Sequence, residues 1–411
     1  VKRLFLALTL LAVVVACRSE APPSALPSIP SERTSEIDAY LEAAIAERGI
    51  PKAVAMVANS ERVLYQGAFG KQDVAQDVDV RMDSIFNLAS MTKPVTSVAV
   101  MMLAEEGRFD LDDPVSQYLP AWAGREVVTS IDEGAKTFET APPEREITIR
   151  QLLTNTSGLA YDFSNATIKT LMDLTGREPL ELPLVDQPGT TWNYSPSTRV
   201  LGTLVEDVSG MPLDAFLHGR IFQPLGMQDT SYVVPADKRD RVVTVHRLVD
   251  GKLVENAVPE QVQSPVRGDG GLYGTAPDYI RFLRMLLNRG ELDGARLLSE
   301  ASVAAMITNQ TGEIKVERQA STDPARSADF PIGAGSDTFG LGFQITSSNE
   351  GRPDLRAPGS YSWGGIFNTH FWGDPERGIV AVILMQQLPF YAPDAMAVYQ
   401  GFEEAVNQRL E

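Results

Sequence analysis

Residues 85–94 read Ile85-Phe86-Asn87-Leu88-Ala89-Ser90-Met91-Thr92-Lys93-Pro94 and run on through small and apolar residues to Glu106. The pattern predicts a helix over Thr92–Glu106, with Pro94 in its first turn, where a missing N–H sacrifices no hydrogen bond. Ser90 then stands at the helix N-terminus, where unpaired backbone N–H groups favour developing negative charge. Lys93, three residues on, shares its face and lies within side-chain reach. Burial there would strip water from the ammonium, lower its pKa and make it a candidate base for a serine nucleophile. The spacing fits equally well a capping serine followed by a lysine on a solvated face.

Working outward, Ser35 reads as the N-cap of a helix over Glu36–Arg48 that stops at Gly49. Ala53–Ala58 and Arg62–Gly67 read as a hairpin turning at Ser60. A second strand-rich region lies near the other end, at Phe339–Ile345, Ser362–Trp372 and Gly378–Gln386. The last of these contains Ile-Val-Ala-Val-Ile-Leu-Met without interruption, as a strand buried on both faces requires. A closing helix over Pro393–Leu410 carries Met396, Tyr399, Phe402 and Val406 on one face. The middle is helical, at Ile149–Leu153, Val200–Val208, Pro277–Asn288 and Glu300–Thr308, with a hairpin-like excursion over Arg125–Glu146. The expected fold is α/β in the α+β sense. One antiparallel sheet is built from both ends of the chain (about 36–90 and 335–411) and flanked by terminal helices, with a mainly helical lobe (about 91–334) inserted.

Composition narrows the function. The 411 residues are 43% hydrophobic and 22% charged, ordinary globular values. A formal charge of −18 argues against nucleic acid as a partner, because phosphate backbones reward Lys and Arg. One cysteine and three unclustered histidines give no metal-ligand pattern, and no cofactor is implied. No serine has glycine at both −2 and +2, so the nucleophile elbow of the α/β-hydrolases is missing.

Two further segments lift Ser90-Met91-Thr92-Lys93 above coincidence. One is Pro188-Gly189-Thr190-Thr191-Trp192-Asn193-Tyr194-Ser195-Pro196, a turn presenting a tyrosine; the other is Ser362-Trp363-Gly364-Gly365-Ile366. In this order they resemble the three motifs of the serine β-lactamase and penicillin-binding protein superfamily, in the class C-like branch, closest to the family VIII carboxylesterases. The stretches 147–159 (ITIRQLLTNTSGL), 221–230 (IFQPLGMQDT), 268–278 (GDGGLYGTAPD) and 339–343 (FGLGF) resemble the same family. The resemblance covers residue 35 to the C-terminus and implies a β-lactamase/transpeptidase-like fold. It implies Ser90 as the acylated nucleophile, Lys93 as its activating partner and Tyr194 as the proton shuttle. A tyrosine ionises near pH 10, so a neighbouring ammonium would be needed to make Tyr194 basic. The backbone N–H groups of Ser90 and Ile366 would form the oxyanion hole. Gly364 and Gly365, lacking Cβ atoms, would let substrate approach the strand.

The sequence also departs from the lactamases. Trp363 stands where they carry a cation or polar group for a substrate carboxylate, and Pro196 stands where they often carry an asparagine for the substrate amide. Both point to a small-molecule ester with an apolar portion, and Trp363 joins the expected substrate-binding residues. Asn155 replaces a frequent histidine and reads as structural. His370 has no sequence feature that would make it a triad histidine. The expected activity is a carboxylesterase working through an acyl-enzyme. The alternatives are a D-amino-acid peptidase or β-lactamase on the same machinery, or a non-catalytic penicillin-binding-like protein.

At the amino end, Lys2 and Arg3 precede an apolar run from Leu4 to Ala16, too short to cross a bilayer but suited to a signal peptide. Val14-Val15-Ala16-Cys17 resembles the lipobox of bacterial lipoproteins. That resemblance implies a signal peptide over 1–16, lipidation of Cys17, a Pro/Ser-rich tether over 17–34 and a hydrolase domain over 35–411. The exported protein would be lipid-anchored in the bacterial envelope. With Arg18 rather than an acidic residue after the cysteine, the outer membrane is favoured.

Overall fold

The computed structural model describes residues 26–249, 252–256 and 265–411. Helix α1 (Ser31–Glu47) leads into strands β1 (Lys52–Asn59) and β2 (Val63–Asp73). The other end of the chain supplies β3 (Tyr361–Gly365), β4 (Thr369–Asp374) and β5 (Ile379–Leu384), then the last helix. These strands join one eight-stranded antiparallel sheet. Its order is Thr338–Phe339, Gln344–Ile345, β3, β4, β5, β1, β2, Val78–Asp79. The chain's two ends meet where β1 pairs with β5, from Val54 opposite Leu384 to Asn59 opposite Ile379.

Strict alternation divides each central strand between two cores. Val54, Met56 and Ala58 of β1, with Val380, Val382 and Leu384 of β5, face the larger core beneath the inserted lobe. Ala53, Ala55 and Val57, with Ile379, Ala381 and Ile383, face a second core. There Ile37 and Leu41 of α1 pack beside Val398, Phe402 and Val406 of the closing helix (Pro393–Asn407). This two-sided burial accounts for the unbroken apolar run at 379–385. The inserted lobe contributes α2 (Thr92–Glu105), α3 (Ser197–Ser209) and α4 (Ala276–Leu287), which share the larger core; the closing helix is α5. The excursion over 125–146 is a hairpin, Val127–Asp132 with Thr137–Ala141.

Three expectations need correcting. Helix α1 begins at Ser31, not after a cap at Ser35, whose hydroxyl donates back to Glu32 O at 2.9 Å inside the helix. The end of the expected tether is packed rather than free: Ser28 and Glu411 exchange two backbone hydrogen bonds of 3.0 Å, and Ile29 is buried. Residues 1–25, with the signal segment and Cys17, lie outside the described residues. The single strands expected at 339–345 and 362–372 are each a pair joined by a turn. In the second, Asn368 adopts φ 54°, and its side chain donates to Gln387 O and Pro389 O, which fixes the reversal. Among the described residues no helix is long and apolar enough to cross a membrane.

Ile383 is fully buried against the terminal helices. Ile383→Ala should lower unfolding free energy by about 2–5 kcal/mol, while the same change at exposed Val63 should stay within about 0.5 kcal/mol. Shifts in the urea midpoint with an unchanged m-value check both.

Candidate active site

The turn before α2 is held open for Ser90. Ala89 sits at φ 46°, an unfavourable region for a residue with a Cβ, and its N–H donates to Asn87 Oδ1 at 3.0 Å. A short 3₁₀ turn, Ala89–Met91, runs directly into α2, so Ser90 lies on the approach to the helix rather than on its first residue. Segment 268–272 anchors this end. Thr96 donates to Gly268 O at 2.8 Å, and Leu272 N–H donates to Thr92 Oγ1 at 3.2 Å. Gly268 packs so closely on Gly202 of α3 that a Cβ there would lie 2.9 Å from the Gly202 Cα.

Ser90, Lys93 and Tyr194 converge. Tyr194 O–H donates to Ser90 Oγ at 2.6 Å, and Lys93 Nζ lies 3.2 Å from the same oxygen. Ser90 is partly exposed, whereas Lys93 and Tyr194 are each only 3% exposed. The Tyr194 turn is fixed through its own backbone, with Asn193 N–H donating to Asn155 O and Tyr194 N–H to Gln319 Oε1. Asn155 is structural, as expected: it holds φ 56°, which asparagine tolerates, and accepts from Ser195 Oγ.

Burial governs the electrostatics. Desolvation pushes Lys93 down to about 7, against a raising pull from Asp269 and reinforced by Arg199 and Arg267. Desolvation raises Tyr194 instead, more than its bond to Ser90 lowers it. Burial thus holds the proton on the Tyr194 phenol and brings the neutral form of Lys93 within reach near pH 7.

Three residues here were not singled out from sequence. Lys93 Nζ also lies 3.1 Å from Tyr161 OH and donates to the backbone oxygen of Asp269 at 2.7 Å. Tyr161 O–H donates to Asp269 Oδ2 at 2.5 Å, and Arg199 donates to both oxygens of that carboxylate at 3.2 and 3.1 Å. Asp269 is 4% exposed. Burial alone would raise its pKa, but Lys93, Arg199 and Arg267 together hold it below the ordinary value. The only sequence signal was an acid inside the glycine-rich stretch 268–278.

The third motif reaches the same place. A Cβ on Gly365 would collide with Leu88 O and Thr369 Oγ1, so the end of β3 abuts the Ser90 turn, and Ile366 follows in the next turn. Gly364 owes its small size to His370: a Cβ there would lie 2.6 Å from Nδ1. Protein neighbours alone therefore leave no room for a Cβ at either glycine without a local shift. Trp363 is 8% exposed, its ring 5.2 Å from Tyr194 and 5.5 Å from Phe339. Phe163 and Phe330 complete an aromatic wall around Tyr194, at 6.2 and 5.5 Å. His370 stacks on Tyr399 of α5 at 4.5 Å, and burial drops it to about 3, so it is a neutral packing group behind the sheet. Among the described residues no cluster of acidic, histidine or cysteine side chains could hold a metal.

The chain is similar to known proteins along most of its length. The Beta-lactamase family model matches residues 37–405. An uncharacterized protein of Mycobacterium tuberculosis is 35% identical over 367 residues, covering 85% of this chain and 89% of that protein. Esterase EstB of Burkholderia gladioli is 28% identical over 403 residues, covering 88% and 92%. Among solved structures, a mutant of simvastatin synthase (LovD) from Aspergillus terreus superposes with a TM-score of 0.79 at 24% identity, covering 92% of this chain and 98% of that one.

Because Leu88 O is backbone, a Cβ at position 365 can be accommodated only by moving the Ser90 turn. Gly365→Ala should cut turnover of an activated ester by roughly a hundredfold, the cost of a displacement near 1 Å. Steady-state kinetics, with circular dichroism to verify folding, measures this.

Proposed function

The chain belongs to the beta-lactamase family and is an enzyme of serine-hydrolase type; from that premise we propose that it cleaves carboxylic esters through an acyl-enzyme on Ser90. The observation that carries the proposal is the meeting of a partly exposed hydroxyl with a buried amine at 3.2 Å and a buried phenol at 2.6 Å. Ser90 Oγ attacks the ester carbonyl carbon while its proton passes to Lys93 Nζ. The oxyanion is received by the N–H groups of Ser90 and Ile366. As the C–O bond breaks, a proton returns through the Tyr194 hydroxyl to the departing alkoxide, and the alcohol leaves. Water then attacks the acyl-enzyme by the reverse path, its proton going to Lys93, and the acid departs with Ser90 restored.

An ester with an apolar portion is favoured by the aromatic wall of Phe163, Phe330 and Trp363 and by Pro196, whose ring offers a substrate amide no donor. Esterase EstB, similar along most of both chains, points the same way. One observation favours a second reading, cleavage of D-amino-acid amides or β-lactam rings. Arg267 is 57% exposed, with its Nε 3.8 Å from Asp269 Oδ1, and it could meet a substrate carboxylate. We further propose that the hydrolase domain is exported and tethered by lipid on Cys17, on the strength of the apolar run and the Val14–Cys17 motif.

Ser90→Ala should abolish p-nitrophenyl butyrate hydrolysis and fluorophosphonate labelling. Fast nitrocefin turnover without ester turnover would instead favour the second reading. The pH profile tests the base. Lys93 must be neutral to accept a proton, and its pKa is lowered to about 7 by burial among Asp269, Arg199, Arg267, Tyr161 and Tyr194. Hence kcat/KM should rise with pH and level off above about 7, falling about tenfold per unit below that. A plateau reached only above pH 9 would remove Lys93 from the role.

A further inference from the structure

We propose that Arg199, Asp269 and Tyr161 form a positioning relay that leaves Lys93 only one direction for its lone pair, toward Ser90 Oγ. The inference rests on the proposed role of Ser90 and Lys93 and deepens it.

The argument is a valence count. A carboxylate only accepts hydrogen bonds, so with Tyr161 OH 2.5 Å from Asp269 Oδ2 the Tyr161 proton must point at Asp269. Tyr161 oxygen is then an acceptor in its remaining contact, which is Lys93 Nζ at 3.1 Å. The backbone oxygen of Asp269, 2.7 Å from Nζ, is also only an acceptor. A neutral lysine amine has two hydrogens and one lone pair. The two acceptors take both hydrogens, and the third close neighbour is Ser90 Oγ at 3.2 Å. The lone pair therefore faces the serine, and Ser90 can donate to it while accepting from Tyr194 at 2.6 Å.

Arg199 sets the relay's polarity. Its two bonds to Asp269, with the ion pair closing at 3.1 Å, keep an almost fully buried carboxylate charged. If Asp269 were protonated it could donate to Tyr161. Tyr161 could then turn its own proton onto Lys93 and occupy the lone pair. Asp269 thus contributes at two atoms, its backbone oxygen directly to Lys93 and its carboxylate through Tyr161.

A double-mutant cycle tests the direction of that proton. Asp269→Leu removes the acceptor, so Tyr161 should donate to Lys93 and block it. On the alkaline plateau of the pH profile, kcat for p-nitrophenyl butyrate should fall at least about tenfold, with KM little changed. Tyr161→Phe removes the offending hydroxyl, so the double variant should recover most of the loss and exceed Asp269→Leu alone. The charge effect is read separately: without the carboxylate, the acid limb should move to lower pH in both backgrounds. Fluorophosphonate titration counts competent sites, and thermal melts verify folding. Losses that simply add, or a double variant no better than Asp269→Leu, would overturn the relay. Ser90→Ala is run beside them. If it retained hydrolysis, the Ser90 reading would fall and take the relay with it; if it lost hydrolysis while the cycle was additive, the relay alone would fall.

Discussion

The site depends on keeping one amine dry. Lys93 is 3% exposed, and loss of hydration disfavours its charged form, so a group that is normally cationic has a neutral form available near pH 7. Dryness alone would leave it without partners. The surrounding polar atoms satisfy it, and among the described residues no carboxylate oxygen is bonded to it directly: its partners are a backbone oxygen, a phenol and the serine. The Asp269 carboxylate is bonded by Arg199 and Tyr161 rather than by the lysine side chain. A direct ion pair would favour the charged ammonium.

The fold makes that enclosure possible by bringing together segments distant in sequence. Ser90 and Lys93 come from the entry to the inserted lobe, Tyr161 and Tyr194 from its turns, and Asp269 from the segment that returns toward the sheet. Gly365 comes from a strand near the C-terminus. Pairing β1 with β5 in the middle of the sheet fixes the lobe's base, because it ties the chain before the lobe to the chain after it. The Ser90 turn is then trapped between Gly365 and segment 268–272, through Leu88 O, Thr92 and Thr96. Its geometry is over-determined, which allows Ala89 to remain at a positive φ.

What could be read in advance follows from the range of the interactions. The doubly buried strand at 379–384 was legible because alternation writes both cores into consecutive residues. The three site segments were legible because their residue types and order are themselves the signal. Turn chemistry was less so. The reversal at 366–368 needs Asn368 to bond backbone oxygens at 387 and 389, and nothing local to 362–372 announces those partners. The start of α1 was masked in the same way, since Ser28 and Ile29 are ordered by the distant C-terminus and a core built from both chain ends. The Tyr161–Asp269–Arg199 set was beyond reach: its hydrogen bonds span 108 and 70 residues.

A second lysine shows that burial is necessary but insufficient. Lys52 is fully buried in β1, and desolvation carries it, like Lys93, down to about 7, against a weaker raising pull from Asp73. Its amine donates to Thr244 O at 2.7 Å and sits 3.1 Å from His246 Nδ1. His246 is itself lowered to about 4, first by burial and then by Lys52, so at neutral pH it is an uncharged ring that can accept from the amine. Lys52 thus has a backbone acceptor and an imidazole nitrogen as its partners, and among the described residues it bonds no hydroxyl. The two amines share the direction and main cause of their shift but not their surroundings: Lys93 lies beside the Ser90 hydroxyl, and Lys52 beside a backbone oxygen and an imidazole. On the proposed reading the chemistry depends on where the Lys93 lone pair points, and the lowered pKa only makes that lone pair available.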